Sequence, residues 1–278
     1  MTEVNVVVNV PTGQDGQDEQ GGQDGEARAA GRHRARSPII SPGVQPALLT
    51  MALAGVFAAT APLDRWALLP ALVVLQAVTA AGWFRLNGMW PARQGIALAF
   101  AGGLAADAAL LLVVDEGQEP EALLAVLGVW FLLVLVLQLR HHGSADERLD
   151  SLTATAAATL LTGVATGYLA ATAISGDAVA VTMCGVAAAT WFAALRLPFV
   201  WPVLALGAAA GAGAIAEPLT DLGTDAMAFA AAGGVSALIG LRVASYDFPS
   251  RFVHFTAGVA LPLTMAAPAA YLLGLALL

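Results

Sequence analysis

After residue 45 the chain turns from polar to apolar, and long runs of Ala, Leu, Val, Gly and Phe recur between short charged or turn-forming connections. At about 1.5 Å rise per residue, a run of roughly 20 residues reaches across the ~30 Å hydrocarbon core of a bilayer. Nine such spans are predicted, at 46–62, 66–84, 95–114, 122–139, 151–174, 178–195, 199–216, 225–241 and 252–275. The predicted fold is an all-α, polytopic transmembrane bundle over 46–278, preceded by a cytoplasmic tail over 1–45. Trp66, Trp83, Trp90 and Trp201 fall near span ends, where amphipathic rings prefer the interface.

The tail has no apolar stretch of the kind that opens a secretory signal peptide. Residues 11–37 are Gly, Gln and Asp followed by Arg, too polar to bury a core, and are expected to be disordered. Val4, Val6, Val8 and Val10 alternate with polar neighbours in a strand-like pattern that has no neighbouring strand to pair with. Arg28, Arg32, Arg34 and Arg36 lie just before the first span, placed to touch anionic lipid at about 1 kcal/mol each.

Composition changes how the charge is read. With 58% apolar and 12% charged residues, the net charge of −8 does not describe a soluble acidic surface. What matters is the side of the membrane each charge occupies. The tail carries Arg28, Arg32, Arg34 and Arg36, and alternate connections carry Arg85 and Arg93, Arg140 and Arg148, Arg196, and Arg242 and Arg251. The opposite connections hold only Arg65, beside Asp177, Glu217, Asp221 and Asp225. This is the positive-inside pattern, which predicts a cytoplasmic N-terminus, an external C-terminus and a multi-pass protein of the cytoplasmic membrane. Basic residues spread along one membrane face argue against nucleic-acid binding.

All 12 basic residues are Arg, and the absence of Lys removes a Walker A lysine and any Schiff-base chemistry. Cys184 is the one cysteine, so no intrachain disulfide forms and no Cys-based metal site is expected. No cofactor is implied. The Arg-only basic set and the Ala- and Gly-rich spans resemble polytopic integral membrane proteins of streptomycete type, from high-GC actinobacteria. That resemblance implies a membrane bundle and brings no functional residues with it.

Polar groups inside the spans carry the candidate chemistry. Asp107 is the one acidic residue well inside an apolar span. A carboxylate there is costly in lipid and faces protein or a water-filled cavity. Gly95, Ala99 and Gly103 recur every four residues before it, giving a small-residue face suited to helix contact. Gln76 and Arg65 of the second span are its candidate partners. Two readings follow: a hydrogen bond or Arg65 ion pair that locks helices, or a transport or proton-relay role. In the fifth span Ser151, Thr155, Thr159, Thr162 and Thr166 share one stripe. Such hydroxyls line a polar path or, the favoured reading, bond back to the preceding turn and pack between helices. Gly207 and Gly211 form a GxxxG pair, and Gly233, Ser236, Ala237 and Gly240 share a face, features of close helix packing.

Three enzyme patterns are incomplete. Asn87-Gly88, Ala92-Arg93, Gly102 and Asp107 resemble a degraded CDP-alcohol phosphotransferase signature, but Asn87 replaces its first Asp, the spacing differs and the last Asp is missing. Asp146/Asp150 and Asp221/Asp225 each give the DxxxD of UbiA-type prenyltransferases, but on opposite predicted faces. Ser236 and His254 faintly resemble a rhomboid Ser–His pair, with Ala237 in place of the Gly that follows the serine. His141 and His142, beside Asp146, Glu147 and Asp150, read as a solvated loop rather than a metal site.

The expected function is therefore non-catalytic: a transporter-like carrier of a small solute or lipid, or a membrane scaffold. The alternative is a membrane-embedded lipid-modifying enzyme. A carrier requires a cavity reaching Asp107 or the Thr155–Thr166 stripe. An enzyme requires carboxylates or histidines converging at one face, and a scaffold requires neither.

Overall fold

The structure is a computed structural model that describes residues 40–89, 92–113, 117–140, 144–195, 201–246 and 250–278. The tail, with its valine alternation and its four Arg, lies outside the described residues, as do His141 and His142.

Ten α-helices and one 3₁₀ turn make up the described chain, with no strand among the described residues. They are α1 (Val44–Thr60), α2 (Arg65–Leu86), α3 (Arg93–Leu112), α4 (Glu119–Leu139), α5 (Ala145–Ile174), α6 (Gly176–Ala194), α7 (Trp201–Ala216), α8 (Asp225–Ala244), α9 (Arg251–Thr264) and α10 (Ala267–Leu277). Among the described residues, eight segments are long and apolar enough to cross a membrane, α9 and α10 together making one of them. The shorter, equally apolar α1 spans 17 residues and is the ninth element predicted from the sequence.

Local chemistry sets the helix ends. The Asp64 carboxylate accepts the Ala67 amide at 2.8 Å and starts α2. Ser144 and Glu147 form a reciprocal capping box at the start of α5. Ser175 closes α5 and caps α6 through the Ala178 amide, so two long helices reverse over a single residue. Gly88 ends α2 at φ 69°, in the left-handed region that suits glycine.

The last predicted span, 252–275, is not one helix but two. Pro262 and Pro268 lack the N–H groups that a continuous helix needs, so the ladder fails at Met265–Ala266. The break is buried, and neighbouring helices supply polar partners to it. The Tyr168 hydroxyl of α5 donates to the Leu263 carbonyl, and the Thr264 hydroxyl meets that of Thr79 on α2 at 2.9 Å. Irregular backbone at membrane depth is tolerated where protein supplies such partners.

Two sets of helices share the core. On one side α2, α3 and α5 pack together, with α10 against α5; on the other α1, α7 and α8 pack on α6. The broken α9 lies between them, against α2, α8 and α1. Phe57 and Tyr168 meet edge-to-face at 5.1 Å where α1 approaches α5. The apolar α4 packs mainly on α3 and α5 and leaves Leu124, Val129, Leu132 and Leu139 exposed.

Small residues set the crossings. A Cβ added at Gly185 would fall 1.9 Å from the Ala230 carbonyl oxygen, and one at Gly233 would fall 2.4 Å from that of Thr182, so α6 and α8 touch backbone to backbone. Gly240 fits against Leu261, and Gly213 against Ala226. The Gly207/Gly211 pair differs from this reading: neither glycine has a neighbour that an added Cβ would meet within 4 Å. The buried edge of α7 is instead Ala205, Ala209 and Gly213, because the GxxxG spacing falls on the opposite stripe.

Helix direction sorts the charges. Arg85, Arg93, Arg140, Arg148, Arg242 and Arg251 sit at one end of the bundle, together with Asp146, Glu147 and Asp150. Arg65, Glu119, Glu121, Asp177, Glu217, Asp221 and Asp225 sit at the other, where Pro62, Ser175, Asp221 and Leu278 line one cleft.

Candidate functional site

Asp107 lies fourteen residues into α3, about 21 Å from the arginine-rich end and about 8 Å short of Leu112. It is 2% exposed. Its Oδ1 accepts a hydrogen bond from Gln76 Nε2 of α2 at 2.9 Å and another from Thr166 Oγ1 of α5 at 2.8 Å. The Gln76 amide nitrogen also approaches Thr166 Oγ1 at 3.1 Å and the Thr162 carbonyl at 3.4 Å. Because the Thr162 carbonyl only accepts, these contacts fix which end of the Gln76 amide is nitrogen. Three helices are thus tied at one buried polar centre.

The small-residue face of α3 makes the approach possible. A Cβ at Gly103, one turn before Asp107, would lie 3.0 Å from Gln76 Cδ and 3.1 Å from Thr162 Cβ. Ala99, one turn earlier, offers its carbonyl to the Thr162 hydroxyl at 2.9 Å. At Gly95 a Cβ would meet the Phe84 ring at 2.5 Å and Thr155 Oγ1 at 3.0 Å. On the other side of α3, Trp130 of α4 packs on Gly102 and donates to the Leu98 carbonyl at 2.9 Å.

Arg65 is not part of this centre. It stands eleven residues before Gln76 on the same helix, about 16 Å along the axis, and contributes no hydrogen bond or ion pair to Asp107. No described cation pairs with the carboxyl. Two oxygens within it, Asp107 Oδ2 and Gln76 Oε1, are buried without a hydrogen-bond partner.

The threonine stripe divides into parts. Thr159 bonds back to the Thr155 carbonyl at 2.8 Å, and Thr162 bonds to the Thr159 carbonyl as well as to Ala99. These two pack and pin α5. Thr166 instead serves Asp107. Thr155 and Ser151 line a cavity of about 480 Å³ at the arginine-rich end, between α3, α4 and α5, which Arg93, Gln94, Gln138 and Arg140 also border. The cavity reaches the first threonine of the stripe and stops about 16 Å short of Thr166.

The incomplete enzyme patterns stay scattered. Asn87 closes α2 by donating to the Trp83 carbonyl at 2.8 Å, far along the axis from Asp107. Asp146 and Asp150 lie at the arginine-rich end, and Asp221 and Asp225 at the opposite one. Gly240 lies against Leu261 in the antiparallel α8–α9 crossing, which sets Ser236 level with Met265. His254 is eleven residues, about 16 Å, from that level. Among the described residues, no three His, Cys, Asp or Glu side chains are grouped to hold a metal.

The second polar group, Tyr168, Thr79, Thr264 and Thr50, is not evident from hydropathy, because span averages do not show which polar side chains on different helices converge. The available signal is Pro262 with Pro268: a span that must break inside a membrane needs donors from its neighbours.

No protein-family model, curated protein or solved structure matches the chain. The fold and the Asp107 centre therefore rest on the chain's own geometry.

Proposed function

We propose that the chain is a multi-pass protein of the cytoplasmic membrane that carries a small solute or lipid, with Asp107 as the group that responds to its passage. The observation carrying this reading is the buried Asp107–Gln76–Thr166 centre, set on three helices inside an apolar bundle and without a counter-cation. A purely structural polar link is satisfied more cheaply by neutral amides and hydroxyls, since a carboxyl at this depth adds a desolvation cost. The cavity ending at Thr155 supports an entry from the arginine-rich end, the end that the positive-inside rule assigns to the cytoplasm. In this arrangement the N-terminal tail is cytoplasmic, Arg28, Arg32, Arg34 and Arg36 lie beside anionic lipid, and Leu278 is external. The split α9–α10 is a joint of the kind through which packed helices rearrange.

The test compares solutes and lipids in cells lacking the gene with cells complemented by wild type or by Asp107→Asn. A carrier is supported when one class of solute accumulates or disappears, recovers with wild type and does not recover with a well-expressed Asp107→Asn. Recovery by Asp107→Asn removes the carboxyl from the mechanism. Substituting Thr155→Cys in a Cys184→Ser background adds a geometric check: a small water-soluble maleimide should label Thr155→Cys from the cytoplasmic side.

A further inference from the structure

We propose that the Asp107 centre is a proton-binding site, and that the neutral carboxyl is its resting form. The argument starts from the two orphan oxygens. Asp107 Oδ2 and Gln76 Oε1 are buried acceptors with no donor, on two groups already joined by a 2.9 Å hydrogen bond. Asp107 is 2% exposed and Gln76 fully buried, so bulk water does not supply what they lack. An ionised carboxylate needs donors on both oxygens or a neighbouring cation, and here only Oδ1 is served.

The groups facing the carboxyl are Gln76 from α2 and Thr162 and Thr166 from α5, none of which ionises at ordinary pH. The charged residues of these helices stand at their ends: Arg65 opens and Arg85 closes α2, Arg93 opens α3, Glu119 and Glu121 open α4, and Asp146, Glu147, Arg148 and Asp150 open α5. One hydrogen on Oδ2 removes the charge and turns one of the two unpartnered acceptors into a donor, on a side chain already hydrogen-bonded to the group that carries the other. A metal ion fits less well, because two side-chain oxygens are fewer than a hard cation requires, whereas a proton needs only these two. Loading forms the Oδ2–H bond with a proton taken from water, and unloading returns it and leaves the carboxylate. The coupling of that exchange to a solute rests on the carrier reading above. The occupancy does not, and it is measured without transport.

The experiment is infrared spectroscopy on the purified full-length protein in lipid nanodiscs, as a function of pH and of sodium. A protonated-carboxyl C=O stretch at neutral pH is expected in wild type, absent in Asp107→Asn and displaced in Thr166→Val, which removes one hydrogen bond to the same group. Where Asp107→Asn fails to fold, the displacement in Thr166→Val makes the assignment. A wild type with no such band at neutral pH overturns the proposal, as does a band indifferent to both substitutions. A sodium-dependent rise in melting temperature that Asp107→Asn abolishes also overturns it, by making the occupant a metal ion. A proton band alongside unchanged solutes in the gene-deletion cells would leave the site standing and retire the carrier reading alone.

Discussion

Gln76 of α2 donates to Asp107 of α3 through its amide nitrogen at 2.9 Å, and that one bond joins the two groups that each keep an unpartnered oxygen. The contact depends on Gly103, whose missing side chain leaves room for the Gln76 amide beside α3. A polar pair is thereby built from a small-residue face, with the glycine acting as a spacer and the carboxyl as the anchor.

A double-mutant cycle checks that relationship. Gln76→Leu and Asp107→Asn should be coupled, by about 0.6 kcal/mol or somewhat more, the scale measured for hydrogen bonds between membrane helices. Arg65→Gln combined with Asp107→Asn should instead be additive to within roughly 0.5 kcal/mol, because Arg65 does not reach the carboxyl. Reversible unfolding in mixed micelles supplies both numbers. Strong Arg65–Asp107 coupling would contradict the geometry described above.

Glycine substitutions should separate into two classes that sequence motifs do not distinguish. Gly185→Ala places a methyl 1.9 Å from the Ala230 carbonyl oxygen, so α6 and α8 must separate, at a cost of about 1–3 kcal/mol. Gly207→Ala adds a methyl to open space and should change stability by less than about 0.5 kcal/mol. Gly103→Ala falls between them, because its 3.0 Å neighbour is the amide end of Gln76. Melting temperatures of the three variants in one detergent give the order directly.

How much of this was legible follows from what each signal reports. Long apolar runs mark the apolar helices to within a few residues, eight segments long enough to cross a membrane and the shorter α1, since span length and hydropathy report the bilayer requirement itself. The four-residue recurrence of Gly95, Ala99 and Gly103 gave the α3 packing face, and Gln76 was a candidate partner by depth alone. What hydropathy did not carry was helix rotation. The sequence leaves Arg65 a candidate partner of Asp107 although it begins its span, and marks Gly207/Gly211 for packing although that stripe faces away from the buried edge of α7. Thr166 looked like one hydroxyl of five, and only the arrangement of α2, α3 and α5 separates it from Thr159 and Thr162, which bond backbone. The division of the last span was readable from Pro262 and Pro268, yet the apolar run across them hid it.

The break between α9 and α10 should be sensitive to its side-chain donors. Tyr168→Phe removes the hydroxyl that donates to the Leu263 carbonyl, while the Ala266 amide still does so at 3.0 Å. The expected loss is about 1 kcal/mol, that of one hydrogen bond to a carbonyl that keeps another partner. Thr264→Val leaves the buried Thr79 hydroxyl without its partner and should cost about 1–3 kcal/mol. Amide hydrogen exchange around 263–267 should quicken in both variants and stay unchanged across α6 and α8. An unaltered exchange pattern would mean that the backbone at the break is held by something other than these two side chains.

The sorting of charge between the two ends gives the last prediction. Arg85, Arg93, Arg140, Arg148, Arg242 and Arg251 share an end, while Leu278 lies with Pro62, Ser175 and Asp221 at the other. Short connections rich in Arg remain in the cytoplasm during insertion, because moving them across is opposed by the membrane potential and by anionic lipid. Leu278 should therefore face outward and Ser144 inward. In a Cys184→Ser background, Thr220→Cys should react with an impermeant maleimide added to intact cells, and Ser144→Cys only after the membrane is opened. The reverse pattern would place the arginine-rich end outside, and with it the mouth of the cavity that ends at Thr155. In that event the entry argued from the cytoplasm would become an entry from outside, while the buried Asp107 centre would be unaffected.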